Sequence, residues 1–218
     1  MRPPPAYLVF FPAVFAIWFA TREYRRIAYV TAEKFIDRHR ERWFPRKEYR
    51  IVVIGNQGAG KTSVCQKWTG AAEIFESTNG FSVKSVSIGR GKTIHLFDLG
   101  GGEHIQPYWN RYFEGSSAIV FVVDSKSDEN SFQEIIEMLC QHIAYEAAQQ
   151  IPLLVLVNKC DSPGDVASAA RHAPIITDAL RTSKFQGMWR IFYSSAKSRN
   201  GDGNMRESLA WLTSAIGA

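Results

Sequence analysis

The sequence predicts an α/β fold, a mostly parallel sheet flanked by helices, and three stretches carry that expectation. Each is an apolar run that hands over to a polar, turn-forming segment: Ile51–Ile54 before a glycine-rich octapeptide, Ile151–Val157 before Asn158-Lys159-Cys160-Asp161, and Trp189–Tyr193 shortly before Ser195-Ala196-Lys197. Unbroken apolar runs suit strands buried on both faces, as in parallel sheets. Polar residues gathered where such strands end stand where an open α/β sheet places its ligands.

The first of these elements names a ligand class. Gly55-Asn56-Gln57-Gly58-Ala59-Gly60-Lys61-Thr62 fills the phosphate-loop pattern G-x-x-x-x-G-K-[ST] without a mismatch. It follows a strand signal, and Ser63 to Trp68 suits a helix, so the motif has the strand–turn–helix context it needs. Glycines let the backbone wrap a nucleotide's phosphates with several N–H groups pointing inward at the positive end of a helix. Lys61 would reach the β- and γ-phosphates, and the Thr62 hydroxyl, with Ser63 beside it in the first helical turn, would face Mg²⁺.

The second element selects the base. A buried Asp161 can accept two hydrogen bonds, from the N1–H and the 2-amino group of guanine. Adenine lacks both donors and would leave the carboxylate unpaired, a cost of about 1–3 kcal/mol or more. Asn158 can bond to the base edge and to the phosphate loop, and the Lys159 stem can lie over the ring. In the third element, Ser195-Ala196-Lys197, the Ala196 N–H can bond the guanine O6. Three ordered sites converge on GTP or GDP.

Between the loop and the base motif lies the chemistry. Asp98-Leu99-Gly100-Gly101 ends the strand Thr93–Phe97. Asp98 can hold Mg²⁺ through water, and Gly100 or Gly101 can bring a backbone N–H to the γ-phosphate. The alternating stretch Ser82–Ile88 and the turn Gly89-Arg90-Gly91 make a hairpin with that strand. Upstream, Thr78 can place its hydroxyl on Mg²⁺ and its N–H on the γ-phosphate; the competing reading is an ordinary loop threonine. Loops tied to a γ-phosphate and released on its loss make an order–disorder switch.

These residues resemble the small GTPases and, within them, the ADP-ribosylation factor (Arf) and Arf-like family. The markers are Thr78-Asn79-Gly80-Phe81, Asp98-Leu99-Gly100-Gly101, Ile105 to Trp109 with Pro107, and Phe121-Val122-Val123-Asp124-Ser125; the resemblance covers residues 49–216. It implies a P-loop small G-domain with a six-stranded sheet, a GTP/GDP cycle, effector binding by residues 72–115, and an exchange factor and a GTPase-activating protein as partners. One position departs from the pattern. The family normally has a glutamine after Asp-x-Gly-Gly to orient the attacking water. Here it is Gly102, followed by Glu103 and His104. Either Glu103 or His104 substitutes, a partner supplies the group, or hydrolysis is very slow; the plainer reading of the pair is exposed residues at a helix start. Gln57 is also larger than the glycine of Ras-type members, close to where a γ-phosphate would lie.

The amino terminus departs as well. Arg2 stands where Arf proteins usually carry a myristoylated glycine, which closes that route. Instead Ala6–Ala20 is uncharged and aromatic-rich, and with Pro3–Pro5 the uncharged stretch reaches eighteen residues, the lower edge for a spanning helix. Trp18-Phe19-Ala20 is a poor signal-peptide cleavage site, so an uncleaved anchor over residues 1–21 is expected, spanning or lying in the interface. Residues 1–50 hold eleven Lys and Arg against five Asp and Glu, leaving fifteen against sixteen for the rest. The basic pI therefore belongs to the arm. Residues 22–48 pattern as a basic helical linker suited either to anionic headgroups or to solvent, and Arg22, Arg25 and Arg26 place residues 49–218, the GTP-binding domain, on the cytosolic side. No nucleic-acid motif accompanies the bases. Cys65, Cys140 and Cys160 have neither disulfide nor zinc spacing.

The expected function is a membrane-associated GTP/GDP switch in trafficking or signalling, with weak intrinsic hydrolysis. The alternatives are a GTP-binding scaffold that hardly cycles and a structural subunit resembling the β subunit of the signal-recognition-particle receptor.

Overall fold

The computed structural model describes residues 47–70, 80–89, 91–197 and 203–218, which belong to one unit, Lys47–Ala218. The expected anchor and most of the basic linker, Thr78, and the hairpin-turn residue Arg90 lie outside the described residues. The strands are β1 (Lys47–Ile54), β2 (Phe81–Gly89), β3 (Lys92–Leu99), β4 (Ala118–Asp124), β5 (Leu153–Asn158) and β6 (Trp189–Tyr193). They form one sheet in the order β2-β3-β1-β4-β5-β6. Every pairing is parallel except the β2–β3 hairpin. The expected strands are present, and the class inferred from their apolar runs is the one observed.

The helices are α1 (Lys61–Thr69), α2 (Glu129–Ile143), α3 (Pro163–Ala170), α4 (Ala173–Thr182) and α5 (Gly203–Ala215). Strand residues alternate between two cores because successive side chains point to opposite faces. Val52, Ile54, Ile119, Phe121 and Val155 meet α2 and α4 through Phe132, Ile136, Leu139, Ile176 and Leu180. Ile51, Val53, Val120, Val122 and Leu154 meet α1 and α5 through Val64, Cys65, Trp68, Met205 and Leu212. The Trp68 indole Nε1 also donates to the Met205 carbonyl at 3.0 Å, which ties α1 to α5. The apolar stripe of α2 is buried as its spacing requires.

One boundary moves. The linker expected over residues 22–48 loses Lys47 and Glu48 to β1, because both pair with β3 and the Lys47 N–H donates to the Gly91 carbonyl at 3.0 Å. Among the described residues no helix is long and apolar enough to cross a membrane.

Candidate functional site

Because β1, β3, β4, β5 and β6 run parallel, their carboxyl ends share one edge of the sheet, and the residues singled out from the sequence collect there. Residues 55–60 join β1 to α1. Gly60 sits at φ 93°, and a Cβ on it would lie 2.3 Å from the Asn158 amide nitrogen. Only glycine meets both demands. Lys61 is the first residue of α1 and is 6 % exposed; its ammonium donates to the carbonyls of Gly55 and Asn56, both at 2.8 Å. Burial pushes its pKa from 10.5 down to about 8, against the opposing pull of Asp98. An ammonium so disfavoured is a site for anionic phosphate.

Asp98, near the end of β3, is fully buried. Its Oδ2 accepts from the Thr62 hydroxyl at 2.6 Å and stands 3.8 Å from the Lys84 ammonium. Its Oδ1 has no hydrogen-bond partner. A buried carboxylate oxygen without a partner costs at least about 1–3 kcal/mol, so this pair of oxygens fits a hydrated divalent cation. Among the described residues no group of three or more His, Cys, Asp or Glu could hold a metal alone. That accords with Mg²⁺, which is held by one or two protein oxygens together with substrate phosphates. Thr62 and Asp98 would hold it, and bound there it would neutralise charge on the β- and γ-phosphate oxygens.

Beyond Asp98 the chain runs against the phosphate loop. A Cβ on Gly101 would lie 2.5 Å from the Gly55 oxygen, the Asn56 carbonyl carbon and the Gln57 nitrogen. The segment is pinned from three sides. Gly100 N–H donates to the Gly80 carbonyl at 2.8 Å, the buried Trp109 indole to the Gly100 carbonyl at 3.0 Å, and the Gln106 amide to the Gly101 carbonyl at 3.0 Å. Glu103 and His104 are exposed in the turn before the 3₁₀ helix Gln106–Tyr112, as the plainer reading has them. The His104 ring, however, folds back over Gly102: a Cβ there would meet its Cε1 at 2.9 Å and Nδ1 at 3.1 Å. Gln57 and Gly58 are exposed and Ser63 is half-buried.

At the base side, Asn158 closes β5 and is 2 % exposed. Its amide donates to the Ala59 carbonyl at 2.9 Å, and its oxygen accepts from the Ala196 N–H at 3.1 Å. The phosphate loop and the Ser195-Ala196-Lys197 loop are thus tied through one side chain. The link to the phosphate loop was expected; the Ala196 N–H, assigned to guanine O6, also serves Asn158. One correction concerns Asp161. It was expected to be buried, but its side chain is 46 % exposed, because it lies past the strand end. Its Oδ1 accepts from the Ser195 hydroxyl at 2.6 Å and its Oδ2 faces the Lys126 ammonium at 3.4 Å. The Ser195 hydrogen bond, opposed by partial burial and helped by Lys126, holds its carboxyl below the usual range. Lys159 adopts a left-handed backbone, φ 67°, and pairs with Asp124 at 2.6 Å. Lys197 is exposed.

Sequence reasoning assigned no role to Asp124, Lys126, Trp109 or Lys84. Asp124 at the end of an apolar run was the one with a legible signal, since β4 ends on the same edge as β1 and β5.

A phosphate loop backed by a buried lysine, a carboxylate set for a divalent ion, and a base-side Asn-Lys-x-Asp joined to Ser-Ala-Lys define a P-loop guanine-nucleotide domain. The sequence pattern of the ADP-ribosylation factor family matches residues 35–216. ADP-ribosylation factor-like protein 1 of Saccharomyces cerevisiae is 33% identical over 175 residues, 80% of this chain and 91% of that protein. ADP-ribosylation factor-like protein 15 of Bos taurus is 35% identical over 119 residues, 54% of this chain and 58% of that protein. The Arl6 BBS3 small GTPase from Trypanosoma brucei, with bound nucleotide analogue GppNp, shares the fold at TM-score 0.65 and 24% identity, covering 78% of this chain and 98% of its own. The chain belongs to the ADP-ribosylation factor family: it is an Arf-like small GTPase, a GTP-binding switch.

Proposed function

We propose that this switch is membrane-anchored, binds effector proteins in its GTP form, and hydrolyses GTP slowly until a partner assists. Gly102 carries the slow-hydrolysis reading. A residue with no side chain cannot orient the attacking water, and positioning is most of what a protein contributes to phosphoryl transfer. His104, folded over Gly102, and Glu103 beside it are the groups of this chain available to take that part. The effector reading, made for residues 72–115, is supported by exposed apolar side chains on its described part. Of the five large hydrophobic side chains left exposed among the described residues, Phe81, Val83 and Tyr108 fall in that segment. Exposed apolar side chains gathered in one segment are what a docking face offers.

Residues 3–20 provide the membrane anchor and the basic residues of 22–47 its contact with anionic headgroups, with the GTP-binding domain on the cytosolic side. Exchange factor, GTPase-activating protein and a role in trafficking or signalling belong to the same reading, which family membership supports. The same Gly102 favours a second reading, a GTP-binding scaffold that does not cycle.

Single-turnover GTP hydrolysis by the full chain in detergent tests this, with wild type beside Gly102→Gln and His104→Ala. Retained GTP with slow turnover, raised by the glutamine, supports a partner-dependent switch. Brisk wild-type turnover abolished in His104→Ala makes His104 the water-positioning group. No turnover in any variant, with GTP retained, leaves the scaffold.

A further inference from the structure

Lys84 has no place in the chemistry derived so far. It lies on β2, whose burial alternates, with Ser82, Lys84, Val86 and Ile88 on the less exposed face. The register pairs Ser82 with Asp98 and Lys84 with Leu96. The Lys84 ammonium is thereby carried across the hairpin to the end of β3. There it donates to the Ser82 hydroxyl at 3.1 Å and stands 3.8 Å from Asp98 Oδ2. Its side chain is 19% exposed and Asp98 is wholly buried. Lys61 also acts on Asp98 from α1. The carboxylate that would hold Mg²⁺ therefore shares its surroundings with two ammonium groups of the protein, and only Lys61 belongs to the phosphate loop.

We propose that Lys84 is a tethered cation that competes with Mg²⁺ for Asp98, so that this chain binds guanine nucleotide with unusually low Mg²⁺ affinity. The proposal rests on the nucleotide-switch reading above. Two effects act in the same direction. The ammonium repels a divalent ion held beside Asp98. It also neutralises Asp98 when the ion leaves, since it already stands 3.8 Å from Oδ2. A unit and a double charge held about 6 Å apart change a binding constant by about tenfold even at the dielectric constant of bulk water, and by more where water is excluded. Because Lys84 rides on β2, any shift of the β2–β3 hairpin would move the ammonium with it and alter Mg²⁺ affinity.

The test loads the full chain in detergent with a fluorescent N-methylanthraniloyl GDP and follows its release across a series of buffered free Mg²⁺ concentrations. Wild type is compared with Lys84→Met and Lys84→Gln, which keep the stem and remove the charge. The expected result is that both variants reach slow release at free Mg²⁺ about tenfold or more below the wild-type value, with equal release at saturating Mg²⁺. Curves that superimpose within about twofold would overturn the proposal. So would variants that cannot retain GDP at saturating Mg²⁺, since the charge is dispensable once the metal is bound. Wild type that binds no guanine nucleotide at any Mg²⁺ concentration would instead overturn the reading beneath it.

Discussion

Gly101→Ala is the sharpest perturbation this fold offers. The added methyl would sit 2.5 Å from three atoms, Gly55 O, Asn56 C and Gln57 N, all of them phosphate-loop backbone. Ordinary contact between such atoms is about 3.5–4.0 Å, so the two segments must part by about 1 Å. No flexible side chain can yield in their place. The near segment is held by Gly80, Trp109 and Gln106, and the far one by Lys61 and Asn158. Overpacking of this kind costs about 1–3 kcal/mol of stability. On the reading that the Gly101 N–H serves the γ-phosphate, the Gly100 N–H being given to the Gly80 carbonyl, the functional cost falls on GTP rather than on GDP. A hydrogen bond to a charged group contributes about 1.5–3 kcal/mol, so its loss weakens a GTP analogue by roughly ten- to hundredfold. Competition of fluorescent GDP by GDP and by a non-hydrolysable GTP analogue separates the two. The expected result is that selective loss with GDP affinity held within about threefold. Equal loss for both nucleotides, or none, would refute the reasoning.

Three further outcomes are expected. Trp109→Phe leaves a ring in a fully buried site but removes the donor to Gly100 at 3.0 Å. The orphaned carbonyl lowers stability by about 1–3 kcal/mol, measured by denaturant unfolding with GDP bound. Lys61 has a folded pKa of about 8 against 10.5. Below pH 8 the cost of its buried charge is present in full, and it is relieved as pH rises toward 10.5; phosphate binding restores the charged form. Nucleotide binding above pH 8 therefore takes up protons, read by calorimetry in buffers of different ionisation enthalpy, and Lys61→Met abolishes the uptake. Asn158→Ala frees the Ala59 carbonyl and the Ala196 N–H together. GDP release should quicken by about tenfold or more, since each freed group costs about 1 kcal/mol or more.

The fold was legible because β4, β5 and the second half of β1 are buried on both faces, so their apolar runs have no interruption to misread. The phosphate loop was legible because it is contiguous: its lysine, threonine and glycines act within eight residues. What escaped was the part of the site set by register and by strand ends. Lys84 reads as one polar residue in an alternating strand, and nothing in its neighbourhood says that hairpin pairing carries it to Asp98. Lys126 and Asp161 are 35 positions apart and meet only because β4 and β5 are adjacent and end together. The burial assumed for Asp161 failed for the same reason, since three residues past a strand end separate the buried Asn158 from an exposed carboxylate. Lys47 and Glu48, polar and charged, read as linker until pairing with β3 makes them strand.

The two ends of the site are charged on different principles. On the base side Asp124 pairs with Lys159 at 2.6 Å, and Lys126 stands 3.4 Å from Asp161 and 4.0 Å from Asp165. Opposite charges are paired there, which suits the reading that selectivity comes from hydrogen-bond direction at Asp161 and shape around Asn158. On the phosphate side Asp98 is the carboxylate that Lys61 and Lys84 face among the described residues. Among the described residues that end holds surplus positive charge in a place where burial already disfavours the ammonium of Lys61. Such an arrangement is costly in the free protein and is relieved by a ligand carrying several negative charges. Affinity then resides mainly at the phosphates and discrimination at the base. The balance between Mg²⁺ and Lys84 at Asp98 becomes the setting that decides how tightly a given nucleotide state is kept.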